Sequence, residues 1–267
     1  MDIRFGCIFD CDGVLIDSAS PHIEAWKALA VEEKLDFPEH LFKSSFGMKN
    51  EQIIPHLFRW TSSAAEIRRL DLRKEYLYRE IILKRGAATF PGVAQFLQLL
   101  QSNDIPCVVG SSAPRANVEV ALTSLGFLDY FQASICGEDV AVGKPDPHIF
   151  LYGAQAIGLS PIDCIVFEDA HVGITAAHAG GMKVVAVANT FPRATLHEAD
   201  CVVERLDELT LSTVRQLAGS AKSAHGAPVQ RQVQAKMGHP TLTIRDDGPG
   251  SVAKSASRLG TELSNRQ

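Results

Sequence analysis

The sequence predicts an α/β fold: an open parallel sheet flanked by helices, with a second, all-helical unit inserted after the first strand. Three observations predict it. Short runs rich in Val, Ile, Cys and Phe recur along the chain, apolar at successive positions, as strands buried on both faces require. Longer amphipathic segments, such as Val93 to Leu100 and Asn117 to Leu125, separate them, and that alternation implies right-handed crossovers between parallel strands. One connection, from Ser18 to Ala88, is too long for a simple crossover and reads as helical throughout.

Taken in order, the first strand run is Phe5-Gly6-Cys7-Ile8-Phe9. The insertion follows. Ser20-Pro21 reads as a helix N-cap with proline at the first helical position. Phe46-Gly47-Met48-Lys49-Asn50 reads as a glycine turn between helices, and Ala64 to Lys84 as a long helix with a charged outer face. Further strand runs are Ile105 to Val109, the weaker Ala133 to Cys136, Cys164 to Phe167, Val184 to Val187 and Cys201 to Val203. Residues 1–17 and 89–218 are therefore assigned to a Rossmann-like core, 18–88 to an inserted helical domain, and 219–267 to a tail. Ligands bind at the carboxyl edge of such sheets, where the insertion is placed, so it is a candidate lid. The tail lacks Phe, Trp and Tyr, carries seven Lys or Arg against three Asp or Glu, and is expected to be disordered.

Composition narrows the function. With 46% hydrophobic and 21% charged residues the chain of 267 residues can bury a sizeable core. A net charge of -5 argues against nucleic acid or anionic lipid as partner. No apolar stretch is long enough to span a membrane, and Met1-Asp2-Ile3-Arg4 lacks the pattern of a signal peptide. The six cysteines form no CxxC pair, so they read as buried thiols in a reducing compartment rather than as a zinc site. The expectation is a cytoplasmic protein, a monomer or weak dimer.

The strongest chemical signal is Phe9-Asp10-Cys11-Asp12-Gly13-Val14-Leu15-Ile16-Asp17-Ser18. At an extended strand end, alternate side chains share a side, so Asp10 and Asp12 converge on one ligand. A bare Asp-Gly turn has the same composition, but three further segments favour a site. Ser111 and Ser112 end the second strand, Lys144 stands in Gly143-Lys144-Pro145-Asp146-Pro147, and Glu168-Asp169 end a later strand. Acidic pairs, a hydroxyl and a cation at one sheet edge suit a Mg²⁺-bound phosphoryl group. Two looser matches carry little. Gly137 to Lys144 has five residues between its glycines where a phosphate loop has four, and Pro145 stands where that loop needs Ser or Thr. Asp246 to Gly250 superficially matches an ATP-lid glycine motif but lacks the domain around it.

These four segments, in this order, resemble those of the haloacid dehalogenase superfamily, in its phosphatase-like branch with a helical cap after the first motif. The resemblance runs from about Phe5 to Leu217. It implies that Asp10 is the nucleophile that becomes an aspartyl phosphate, and that Asp12 is the general acid and then base. Ser111 would donate to a phosphoryl oxygen, with Ser112 the alternative donor, and Lys144 would neutralise charge. Mg²⁺ would be held by Asp10, the Asp12 main-chain carbonyl and Asp169, with Glu168 acting directly or through water. Phe46 to Asn50 resembles a substrate-specificity loop, in which Lys49 would reach a second anionic group on the substrate, and His22 resembles a histidine near the start of the first cap helix. Asp17-Ser18-Ala19-Ser20 departs from the branch's Asp-Ser-Glu-Pro, which weakens transfer of any particular substrate.

The expected function is a Mg²⁺-dependent phosphatase acting on a small phosphorylated metabolite such as a sugar phosphate. Two rivals stand beside it: a hexose-phosphate mutase like β-phosphoglucomutase, and a non-catalytic binding protein on the same fold.

Overall fold

The computed structural model describes residues 5–45 and 48–224. Six strands, β1 (Gly6–Phe9), β2 (Cys107–Gly110), β3 (Ala133–Ile135), β4 (Cys164–Glu168), β5 (Lys183–Val187) and β6 (Cys201–Val203), form one parallel sheet ordered β3-β2-β1-β4-β5-β6. Every run expected to be a strand is one. Successive side chains enter opposite layers. Cys7, Phe9, Ile165 and Phe167 pack with α4 (Val93–Gln101), α5 (Arg115–Leu125) and α8 (Leu211–Ala224). Ile8, Cys164 and Val166 pack with α6 (His148–Ala156) and α7 (His171–Ala179) on the other face. The Phe9 and Phe167 rings stack with centroids 4.5 Å apart, and each such fully buried ring contributes roughly 1.5–3 kcal/mol.

The chain steps from β1 to β2 to β3 on one side, then returns to place β4 against the other side of β1. That reversal opens a crevice at the carboxyl ends of β1 and β4, the place where open α/β sheets bind ligands.

The inserted segment holds α1 (Ala19–Glu33), the short α2 (Asn50–Gln52) with a wide turn after it, and α3 (Ala64–Arg85). Trp26, Leu29, Phe42, Ile53, Ile54, Phe58 and Leu70 form its own buried centre. Core and insertion nevertheless make one compact unit. On the exposed face, Arg69 pairs with Glu33 and Arg73 with Glu32, fastening α3 to α1; such pairs add little each.

Two local expectations are corrected. α1 begins at Ala19 with Ser18 at the N-cap position, so Ser20 and Pro21 lie inside the first turn. Proline fits there because first-turn N–H groups have no helical acceptor. α8 continues to Ala224, past the expected start of the tail at 219, because Val214 and Ala218 bury against the core. Residues 225–267, with Asp246 to Gly250, lie outside the described residues, as do Phe46 and Gly47 of the expected cap turn. Among the described residues no helix is long and apolar enough to cross a membrane. All six cysteines are free, five of them buried.

Candidate active site

The carboxyl ends of β1 and β4 bring the acidic groups together. Asp10 follows β1 directly, and its N–H donates to the Phe167 carbonyl at 2.9 Å, continuing the ladder. The chain then turns at Gly13, where φ is +86° and an added Cβ would lie 1.9 Å from Asp169 Oδ2. Only glycine satisfies both limits. The turn is pinned from β5's side by Asn189, whose side-chain amide donates to the Gly13 carbonyl at 2.8 Å.

Lys144 enters from the loop between β3 and α6 with its side chain 0% exposed. It donates to Asp10 Oδ1 and to Glu168 Oε1, both at 2.6 Å. Glu168 Oε2 accepts the N–H groups of Asp169 and Ala170, each at 2.7 Å. Gly173 makes room for this carboxylate, since a Cβ there would fall 1.8 Å from Glu168 Oε1.

Asp10, Glu168 and Asp169 offer carboxylate oxygens that all lie within 4.8 Å of one another, and all three residues are buried. One ammonium does not balance three carboxylates. Burial, and after it the charge of Glu168, raises the Asp10 carboxyl to about 7 against the pull of Lys144. Burial, then the charges of Glu168 and Asp10, raise Asp169 well above the aspartate range. Asp169 Oδ2 is buried with no hydrogen-bond partner. A hard divalent cation fits this deficit: it takes oxygen ligands and supplies the missing positive charge. Asp10, Asp169 and Glu168 are the carboxylates that could hold it. Glu168 has both oxygens engaged already, which leaves lone pairs for a direct or water-mediated contact.

Asp12 stands apart from the trio, so its side chain adds nothing to that cluster. Its Oδ1 lies 3.3 Å from His22 Nε2 instead. Burial acts to raise the Asp12 carboxyl, but the hydrogen bond and charge of His22, with the Lys74 charge further off, hold it below the ordinary aspartate range. Lys74 Nζ sits 2.8 Å from His22 Nδ1 and 2.8 Å from Glu75 Oε1. Glu75 also accepts from Asn50 and, across the boundary between insertion and core, from Asn117 of α5. A continuous polar chain therefore runs from the β1 edge through α1 and α3 to α5.

The remaining expected residues are placed as follows. Ser111 is buried at the end of β2, and its Oγ accepts the Ala113 N–H at 3.1 Å. Ser112 lines the same cavity beside it. Lys49 lines the cavity too, but its ammonium donates to the carbonyls of Gly137 at 2.6 Å and Val140 at 3.0 Å. The expectation that Lys49 serves a second anion meets a side chain already spent on bridging the insertion to the core.

Sequence reasoning missed Lys74, Glu75, Asn50 and Asn117. One signal was available. The buried stripe of α3 is Leu70, Lys74, Tyr78 and Ile82 at four-residue spacing, with Glu75 beside it. A lysine on the apolar stripe of a helix is costly unless it is paired.

Fold and site together suit one class, the enzymes that act on phosphoric monoesters. The chain belongs to the haloacid dehalogenase-like hydrolase family, which its residues 6–181 match. It is 39% identical over 216 residues to the chloroplastic 5-amino-6-(5-phospho-D-ribitylamino)uracil phosphatase of Arabidopsis thaliana, a match covering 80% of this chain and 57% of that protein. It is 32% identical over 215 residues to the β-phosphoglucomutase of Bacillus subtilis, covering 78% of this chain and 93% of the relative. The crystal structure of a β-phosphoglucomutase from Clostridium difficile superposes with a TM-score of 0.73 at 26% identity, covering 82% of this chain and 99% of that one.

Proposed function

We propose that the chain is a Mg²⁺-dependent phosphatase that hydrolyses a small phosphorylated metabolite through an aspartyl phosphate. The observation that carries this reading is the division of labour between Asp10 and Asp12. Asp10 is clamped by Lys144 inside the carboxylate trio, whereas Asp12 faces the cavity with His22. A nucleophile needs a fixed position, and a proton shuttle needs access to the leaving oxygen and to water.

Asp10 attacks phosphorus and forms the acyl phosphate while Asp12 gives its proton to the departing oxygen. Asp12 then removes a proton from the water that cleaves the acyl phosphate, and Asp10 is restored. An anionic phosphoryl group arriving beside Asp12 opposes the influence of His22 and favours the protonated form that the first step needs. Lys144 holds Asp10 in line and offsets the charge that gathers there, and Ser111 donates to a phosphoryl oxygen. Mg²⁺, held by Asp10, Asp169 and the Asp12 main-chain carbonyl with Glu168 assisting, would screen the approach of an anionic carboxylate to an anionic phosphate. The insertion acts as the lid, with Lys49 and Glu75 joining it to the core.

The likeness to β-phosphoglucomutases favours a second reading, in which a sugar hydroxyl rather than water receives the phosphoryl group. A turnover screen over phosphate monoesters with Mg²⁺ tests both. Release of inorganic phosphate supports hydrolysis. Conversion of β-glucose 1-phosphate to glucose 6-phosphate, dependent on a bisphosphate primer, supports the mutase.

A further inference from the structure

The cavity between insertion and core has a volume of about 900 Å³. That is far more than a phosphoryl group fills, so walls remote from Asp10 meet the leaving group. One wall has an unusual hydrogen-bond balance. Asn50 is 9% exposed. Its Nδ2 gives both hydrogens to carboxylates: one to Asp71 Oδ1 at 2.7 Å, the other to Glu75 Oε1. Flanked by two carboxylates, the amide has only this orientation open to it. Glu75 is satisfied further by Lys74 and Asn117. Asp71 is not. Its second oxygen, like the Asn50 amide oxygen, has no protein partner among the described residues, and both residues line the cavity. Burial first, then the charges of Glu75 and Glu51, push the Asp71 carboxyl up to about 6 despite the Asn50 hydrogen bond.

The cations near this wall are already engaged. Lys74 serves Glu75 and His22, Arg79 donates to Asn117 Oδ1 at 2.8 Å, and Lys49 serves two carbonyls. Arg68 stands at the exposed rim, where solvent screens it. The wall thus presents two acceptor oxygens, on Asp71 and Asn50, with Glu75 paired to Lys74 and Glu51 exposed like Arg68.

Resting on the phosphatase reading above, we infer that this wall selects the leaving group. Asp71 and Asn50 accept hydrogen bonds from an uncharged, hydroxyl-bearing leaving group, and the Asp71 carboxylate with its acceptor neighbour disfavours one that carries a second phosphate there. Hydroxyl donors relieve the deficit at Asp71, whereas a second phosphate brings only acceptors and more negative charge. The specificity is the opposite of the one Lys49 suggested in the sequence, and it disfavours a bisphosphate primer in this pocket.

The test compares kcat/KM, with Mg²⁺, for phenyl phosphate, a hexitol monophosphate and a hexose bisphosphate. The wild-type protein prefers the hexitol monophosphate to the bisphosphate by about tenfold or more. Asp71→Ala lowers the ratio of hexitol phosphate to phenyl phosphate by about ten- to a hundredfold. Asp71→Lys raises bisphosphate turnover relative to the hexitol ester. A wild-type protein that takes the bisphosphate as readily as the hexitol ester overturns the inference, as does an Asp71→Ala loss of equal size on all three esters. In either case turnover of phenyl phosphate leaves the phosphatase reading standing. Failure to turn over any ester overturns both.

Discussion

Two lysines are buried among the described residues, and they solve opposite problems. Lys144, in the core, faces a surplus of negative charge: Asp10, Glu168 and Asp169 share one ammonium. Lys74, in the insertion, is matched. Glu75 neutralises it, and the ammonium also lies 2.8 Å from His22 Nδ1. The Lys144 ammonium is held above its ordinary value because the charges of Asp10 and Glu168 outweigh the effect of burial, which alone would lower it. The core cluster therefore has a charge deficit that a further cation would fill, whereas Lys74 and Glu75 in the insertion balance each other. One is arranged to bind, the other to hold the wall of the cavity and aim His22 at Asp12.

The largest effect that tests this contrast is on the core side. Asp10→Asn keeps the shape and the contact with Lys144 but removes the attacking charge. Turnover should fall by on the order of 10⁴-fold or more with the fold retained, as read by phosphate release and circular dichroism. Near wild-type kcat in that variant would remove Asp10 from the chemistry.

The lysines themselves can be exchanged for a residue of similar length. Lys74→Met leaves Glu75 charged, buried and served only by Asn50 and Asn117, so unfolding in urea should show a loss of about 3–5 kcal/mol. Lys144→Met should cost a similar amount without metal. The two variants should part when Mg²⁺ is added: it restores stability to Lys144→Met, whose carboxylates still hold a cation, and does nothing for Lys74→Met. Equal responses to Mg²⁺ would mean that the two sites do not differ as described.

The carboxylate trio also predicts a response in the wild-type protein. Mg²⁺ at about a hundred times its dissociation constant should raise stability by roughly 2.7 kcal/mol, seen as a higher melting temperature. Asp169→Asn should lose most of that rise. Chelation should abolish turnover and Mg²⁺ restore it, while Ca²⁺, with its looser and larger coordination, should inhibit. Full activity in excess chelator would contradict the assignment.

The same contrast explains what could be read in the sequence. The core site was legible because its parts stand at the ends of buried strand runs, except Lys144, which comes from the loop before α6. Asp10 follows Phe9, Ser111 follows Gly110 and Asp169 follows Glu168, so local pattern and sheet topology place them without knowledge of distant contacts. The wall of the insertion was not legible. Glu75 meets Asn50 across 25 positions and Asn117 across 42, and no local periodicity encodes such a meeting. Lys74 did leave a trace, as a charge on the apolar stripe of α3. Gly173 left none, because its reason is a carboxylate from the preceding strand that lies where its side chain would be.

Lys49 belongs to the boundary between the two regions, and its effect should be the smallest. Its N–H groups donate to the carbonyls of Gly137 and Val140, and its stem runs beside Gly143, where an added Cβ would lie 3.1 Å from Lys49 Cγ. If the ammonium fastens lid to core, Lys49→Met weakens closure for every substrate alike. A hydrogen bond from a charged group is worth about 1.5–3 kcal/mol when buried, and this one is half-buried. The expected loss in kcat/KM is therefore about three- to tenfold, the same for phenyl phosphate as for a hexitol phosphate. A loss confined to esters with a second anionic group would restore the reading suggested by the sequence, in which Lys49 grips the substrate. The ratio between substrates decides the matter, because a lid fastener scales all of them together and a ligand-binding residue does not.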